Sequence, residues 1–181
     1  MKKFRFTLMA VAAMAFLMGS CSGGNTASGS SEESSAVSEE TNVYKNEKVG
    51  FSLTLPEGFE QQNDDKQMEA ERGGKVFLGN GCMLDATGKE LNPNFTVEET
   101  LKNGFDYLVN YAYKEDGSEL TSQEIAEDHY LIKGKDEFGL RAQYKLVKNG
   151  KEIDLMFTYP LDKQAELDRD VDAVVKSLKV D

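Results

Sequence analysis

Around Asn149-Gly150 the chain commits itself to an antiparallel sheet. Phe138 to Tyr159 alternates apolar and polar residues on both sides of that dipeptide. Asn-Gly suits a two-residue type I′ turn, because both central residues need a positive φ. Such a turn sets Leu146 opposite Ile153, Tyr144 opposite Leu155 and Ala142 opposite Phe157. The same register puts Lys145 opposite Asp154 on the other face. A slip of one residue would carry the whole apolar row into solvent, so pattern and turn fix one register.

The flanking segments extend this frame. Phe51-Ser52-Leu53-Thr54-Leu55 alternates and stops at Pro56, a half-buried strand. Gln61 to Arg72 is polar and gives no periodic signal. Lys75 to Leu84 reads as two short strands or one bulged strand around Gly79-Asn80-Gly81. Thr96 to Tyr113 predicts a helix. Thr96 and Glu99 form a capping box, and Val97, Leu101, Phe105, Leu108 and Ala112 share one face. Gly104 permits close approach to a sheet, and Asp116-Gly117-Ser118 ends the segment. Strands follow at Glu119 to Glu127 and Tyr130 to Gly134. Asp162 to Lys179 predicts a last helix with Leu167, Val171, Val174, Val175 and Leu178 along one face and Asp172 paired with Lys176. The order predicts α+β: an antiparallel sheet with two main helices packed on it.

The N-terminus reads as an address. Lys2, Lys3 and Arg5 precede an apolar run from Phe6 to Met18, too short for a bilayer span of roughly 20 residues. Positive start, short apolar run and small residues make a secretory signal. Leu17-Met18-Gly19-Ser20-Cys21 resembles the lipobox of bacterial lipoproteins. That resemblance implies a diacylglycerol on the Cys21 sulfur and cleavage before Cys21. One acyl chain anchors marginally, and several on one residue hold. Ser22 to Thr41, rich in Ser, Gly and Glu, cannot offset the entropy of ordering. It reads as a flexible tether with an r.m.s. span of about 25 Å. Residues 42–181 then form a single domain. By analogy with envelope sorting, Ser22 favours the outer membrane where the cell has one, and otherwise the outer face of the cytoplasmic membrane.

Charge and composition exclude several classes. A net charge of −11 argues against nucleic acid, whose phosphates need clustered Lys and Arg. Two Cys and one His leave no disulfide scaffold and no zinc site made of Cys and His alone. Composition suits an ordinary globular domain. No cofactor or metal is expected: nucleotide-binding glycine loops and G-x-S-x-G are missing.

Two further stretches carry a resemblance. Tyr44-Lys45-Asn46 followed by Gly50-Phe51-Ser52-Leu53-Thr54-Leu55-Pro56-Glu57-Gly58-Phe59 resembles the opening of PsbP-like domains. Asp172-Ala173-Val174-Val175-Lys176-Ser177-Leu178-Lys179 resembles that superfamily's closing helix. Phe59 stands where many members carry Trp. The superfamily includes an extrinsic photosystem subunit, a Ran-binding import factor and envelope lipoproteins of the DcrB type, the branch that the lipobox favours. The resemblance implies an α/β/α sandwich and a protein-binding role rather than catalysis.

Candidate chemistry is sparse. Cys82 and His129 would make a nucleophile–base pair if the fold joined them; otherwise they are a buried thiol and a surface imidazole. Asp168-Arg169-Asp170-Val171-Asp172 suggests calcium, but Ala173 and Lys179 occupy the positions where an EF-hand loop needs Gly and Glu. Asn63-Asp64-Asp65 reads as a polar loop. Tyr107, Tyr111 and Tyr113 would form a partner-binding patch if exposed together, and core packing if not. The expectation is a membrane-anchored, non-enzymatic envelope lipoprotein that binds a protein partner. Small-molecule or ion binding is the alternative, and a Cys/His hydrolase the third.

Overall fold

The computed structural model describes residues 42–62, 73–115 and 117–181. The signal, lipobox, tether and Asn63-Asp64-Asp65 readings lie outside the described residues. The strands are β1 (Val43–Asn46), β2 (Phe51–Thr54), β3 (Glu60–Gln61), β4 (Gly74–Gly79), β5 (Cys82–Glu90), β6 (Glu119–Ile125), β7 (His129–Lys135), β8 (Leu140–Lys148), β9 (Lys151–Tyr159) and β10 (Lys179–Val180). Helix α1 spans Val97–Tyr107, a π-helical turn Leu108–Ala112 follows, α2 is Tyr113–Glu115, and α3 is Gln164–Ser177. This is the expected α+β architecture with antiparallel pairing throughout.

Seven strands form the large sheet in the order β3-β4-β5-β9-β8-β7-β6, and β1-β2-β10 form a small one. The β8–β9 hairpin has the register derived above, including Leu146 with Ile153, Ala142 with Phe157 and Lys145 with Asp154. Asn149 and Gly150 turn with φ of 53° and 74°. Asn80-Gly81 turns β4 into β5 in the same way, at 52° and 76°. The ambiguous Lys75–Leu84 segment is therefore a second hairpin, and its glycines serve a turn.

Alternation sends the rows of the large sheet to two cores. Phe77, Leu84, Ala86, Ala142, Leu155 and Phe157 face the small sheet and α3, where Tyr44, Phe51, Leu53, Leu167, Val171 and Val174 complete one cluster. Tyr130, Ile132 and Val147 face the other way, against Leu101, Leu108 and Tyr113. Thus α3 and α1 cover opposite faces. Buried Asn46 is satisfied: its amide nitrogen donates to the Tyr44 hydroxyl at 3.1 Å and to the distant Gly73 carbonyl at 2.8 Å, and its Oδ1 accepts from the Val49 N–H at 3.0 Å.

Three differences from the sequence reading bear on the architecture. The last helix ends at Ser177 rather than Lys179, because Leu178 turns to extended backbone and Lys179–Val180 pair with Ser52–Phe51. Ser177 locks that end, accepting from the Thr54 amide at 2.8 Å. The first helix carries a π turn instead of running evenly to Tyr113. Glu60–Gln61 adds a short edge strand to β4.

Candidate functional site

The capping box starts α1 as expected: Glu99 N–H donates to Thr96 Oγ1 at 3.2 Å, and Thr96 N–H donates to Glu99 Oε2 at 2.8 Å. From there the helix divides its tyrosines. Tyr107 and Tyr111 are 61% and 58% exposed, their rings stacked at 6.2 Å and 25°. Tyr113 is only 4% exposed. The three do not form one patch. At about 100° per residue, positions 107 and 111 nearly align while 113 lies on the far side. That arithmetic was available in the sequence and separates the two groups. Tyr113 covers Gly134, where an added Cβ would sit 2.5 Å from its ring.

N-terminal to the tyrosines, α1 and the end of β6 enclose an apolar groove of about 900 Å³. Val97, Leu101 and Phe105 form one wall, and Ile125, 49% exposed, forms the other. Its lip carries Glu98, Glu127 and the Lys102–Asp106 ion pair. The pair cancels internally, and Glu98 and Glu127 join no ion pair among the described residues, so the lip is acidic.

Beyond α1, the same face of the sheet carries a largely buried charge cluster. Lys145 Nζ lies 3.1 Å from both Glu152 Oε2 and Asp154 Oδ2, and Lys89 approaches Glu152 at 3.4 Å. Burial alone would lower the Lys145 ammonium; the Asp154 and Glu152 carboxylates outweigh it and raise the pKa above the ordinary value. A cavity of about 320 Å³ lies under the π turn, between Leu108, Ala112, Tyr113, Arg141, Gln143 and Met156. Sequence reading missed it, since π turns have no pattern of their own; they recur at functional sites.

The hydrolase pair is not assembled. Cys82 is buried at the start of β5, with Lys163 Nζ 3.9 Å from its sulfur. Burial raises the thiol pKa and outweighs the lowering by Lys163. His129 starts β7, its Nδ1 2.7 Å from Asp128 Oδ1 and its ring against Tyr144. Through the paired strands His129 is level with Gly88, six residues along β5 from Cys82. Strand rise and spacing then separate the two by about 24 Å.

The acidic run on α3 is consumed by protein partners. Lys133 donates to Asp168 at 2.6 Å, the Tyr159 hydroxyl to Asp170 at 2.7 Å, and Lys176 pairs with Asp172 at 3.6 Å. Among the described residues no group of three His, Cys, Asp or Glu side chains is placed to hold a metal. Nor, among them, is any helix long and apolar enough to cross a membrane.

Comparison with solved structures adds the fold. A cyanobacterial PsbP, CyanoP from Synechocystis sp. PCC 6803, superposes with a TM-score of 0.60 at 16% identity, covering 84% of this chain and 98% of that one. The fold is PsbP-like. A protein from Bacteroides thetaiotaomicron VPI-5482 aligns at 13% identity and a TM-score of 0.43, over 72% of this chain and 45% of that one. No protein-family model and no curated protein matches the sequence. The stacked tyrosines, where α1 runs into the π turn, and the groove both lie on the face opposite α3.

Proposed function

We propose that this chain is a lipid-anchored, non-enzymatic binding module of the bacterial envelope that docks a protein partner through α1. The stacked, exposed Tyr107–Tyr111 pair carries the reading, since it presents rigid aromatic area on the helix that also walls the acidic-lipped groove. The lipobox at Leu17–Cys21 and the Ser22–Thr41 tether support the anchor. The PsbP-like fold and the separation of Cys82 from His129 support binding rather than catalysis. Crosslinking in living cells from a photoreactive residue at Lys102, followed by mass spectrometry, tests it. The expected result is one reproducible envelope partner, lost in Tyr107→Ala/Tyr111→Ala. A partner retained undiminished in that variant overturns the role of the pair.

The cavity under the π turn favours a second reading, small-ligand binding between helix and sheet. A panel of metals and envelope metabolites would then raise the melting temperature. No shift at saturation removes this alternative.

A further inference from the structure

Strand β6 lies at one edge of the large sheet, with no neighbour on its outer side among the described residues. Such an edge is a template for another strand unless something blunts it. Here a register shift between Leu120 and Ser122 breaks its first half. Ser122 to Ile125 then runs in unbroken pairing with Lys133 to Tyr130.

Backbone alternation sets what that stretch offers. Ala126 N–H donates to the His129 carbonyl at 2.8 Å, so residue 126, and with it residue 124, turns its polar backbone toward β7. In an antiparallel ladder the intervening residues turn theirs away. Gln123 and Ile125 therefore aim N–H and C=O groups at the free edge. Their partners Ile132 and Tyr130 belong to the core under α1, so the side chains of 123 and 125 also stand on that face, beside the groove.

Charge selects the occupant. From Glu119 to Asp128 there are four acids and no Lys or Arg. Two copies paired along this edge would set these acids against each other, which opposes self-association. With Glu98 and Glu127 on the groove lip, the surface complements a basic segment with apolar anchors.

We propose that Ser122–Ile125 of β6 receives an extended segment of the protein partner as an added strand, alternating apolar residues that enter the groove with basic residues that face Glu124 on the opposite side of the sheet, within the field of the lip acids Glu98 and Glu127. This rests on the protein-binding reading above and names its mode and partner chemistry. Main-chain hydrogen bonds to Gln123 and Ile125 would supply affinity, and the groove and its acids specificity.

The probe is a short capped fluorescent peptide alternating Lys and Val, with a Glu/Val peptide as control, against the full chain in non-ionic detergent. Anisotropy should rise with the Lys/Val peptide only, and the binding should weaken as salt goes from about 0.05 to about 0.5 M. Deuterium uptake of β6 should slow on binding. Gln123→Pro removes one outward N–H while sparing the β7 ladder, and should cost at least about tenfold in affinity. Glu98→Gln/Glu127→Gln should cost about fivefold. Lack of binding, equal binding of the Glu/Val peptide, or protection confined to elements other than β6 overturns the proposal, and these outcomes need no variant. An envelope partner captured in cells through α1 without protection of β6 refutes the added strand and leaves the docking function standing.

Discussion

Two buried phenols should respond with opposite sign to loss of the same atom. The Tyr113 hydroxyl is buried and has no hydrogen-bond partner among the described residues. Leaving such a group unpaired costs about 1–3 kcal/mol. Tyr113→Phe removes that cost and leaves a void of roughly one oxygen atom, worth only about 0.3 kcal/mol of cavity penalty. The variant should be more stable by about 1–2 kcal/mol, a rise in melting temperature of about 3–6 °C for a chain of this size. Tyr159 is buried too, but its hydroxyl donates to the Asp170 carboxylate at 2.7 Å. Tyr159→Phe deletes that bond and leaves buried Asp170 with the Arg169 Nε contact at 2.8 Å. Hydrogen bonds to charged groups are worth about 1.5–3 kcal/mol, so this variant should fall by about that much. Urea unfolding followed by circular dichroism, with slope and midpoint compared, reads both. If Tyr113→Phe loses 1 kcal/mol or more (roughly the worth of one satisfied bond), the hydroxyl has a partner and the reasoning fails. Partner capture should be unchanged in Tyr113→Phe, since that ring does not reach the surface.

Other consequences are narrower. Gly150 holds φ of 74° with open space around its missing Cβ, so Gly150→Ala should cost only the left-handed backbone, about 1 kcal/mol in chemical unfolding. The hydrogen bond from Lys133 holds the Asp168 carboxyl below its usual pKa; a depressed folded value gives stability present above the unfolded pKa and lost as pH falls through the folded one. Asp168→Asn should therefore flatten the acid limb of the stability–pH curve below about pH 4, and an unchanged limb refutes the pairing. Burial raises the Cys82 thiol, so iodoacetamide should label it slowly at neutral pH in the folded chain and rapidly in urea.

Legibility from sequence followed the range of the interactions. The β8–β9 register was readable because two local signals, turn chemistry and alternation, had to agree. The capping box at Thr96 and Glu99 was readable for the same reason. The end of the last helix was not. Apolar spacing through Leu178 looks helical, and what stops it is pairing with Phe51 and Ser52, far away in sequence. Long-range pairing outbids helix propensity there, and no local pattern announces it.

The candidate site shows the same division more sharply. Each of its apolar walls was visible: Val97, Leu101 and Phe105 as a helical stripe, and Ile125 as part of a strand. A stripe reveals that a face is buried, not how far the burial extends. Leu101 is covered by the sheet, whereas Phe105 and Val97 remain only partly covered. The groove exists because α1 overhangs the end of an edge strand, and strand order is a property of the whole sheet. Sequence supplied the charge, since the stretch from Glu119 to Asp128 has no cation. Only the fold sets that charge beside an open backbone edge and an apolar wall at once. Docking and strand addition therefore converge on one surface, and the Glu98→Gln/Glu127→Gln and Gln123→Pro variants probe its two halves separately.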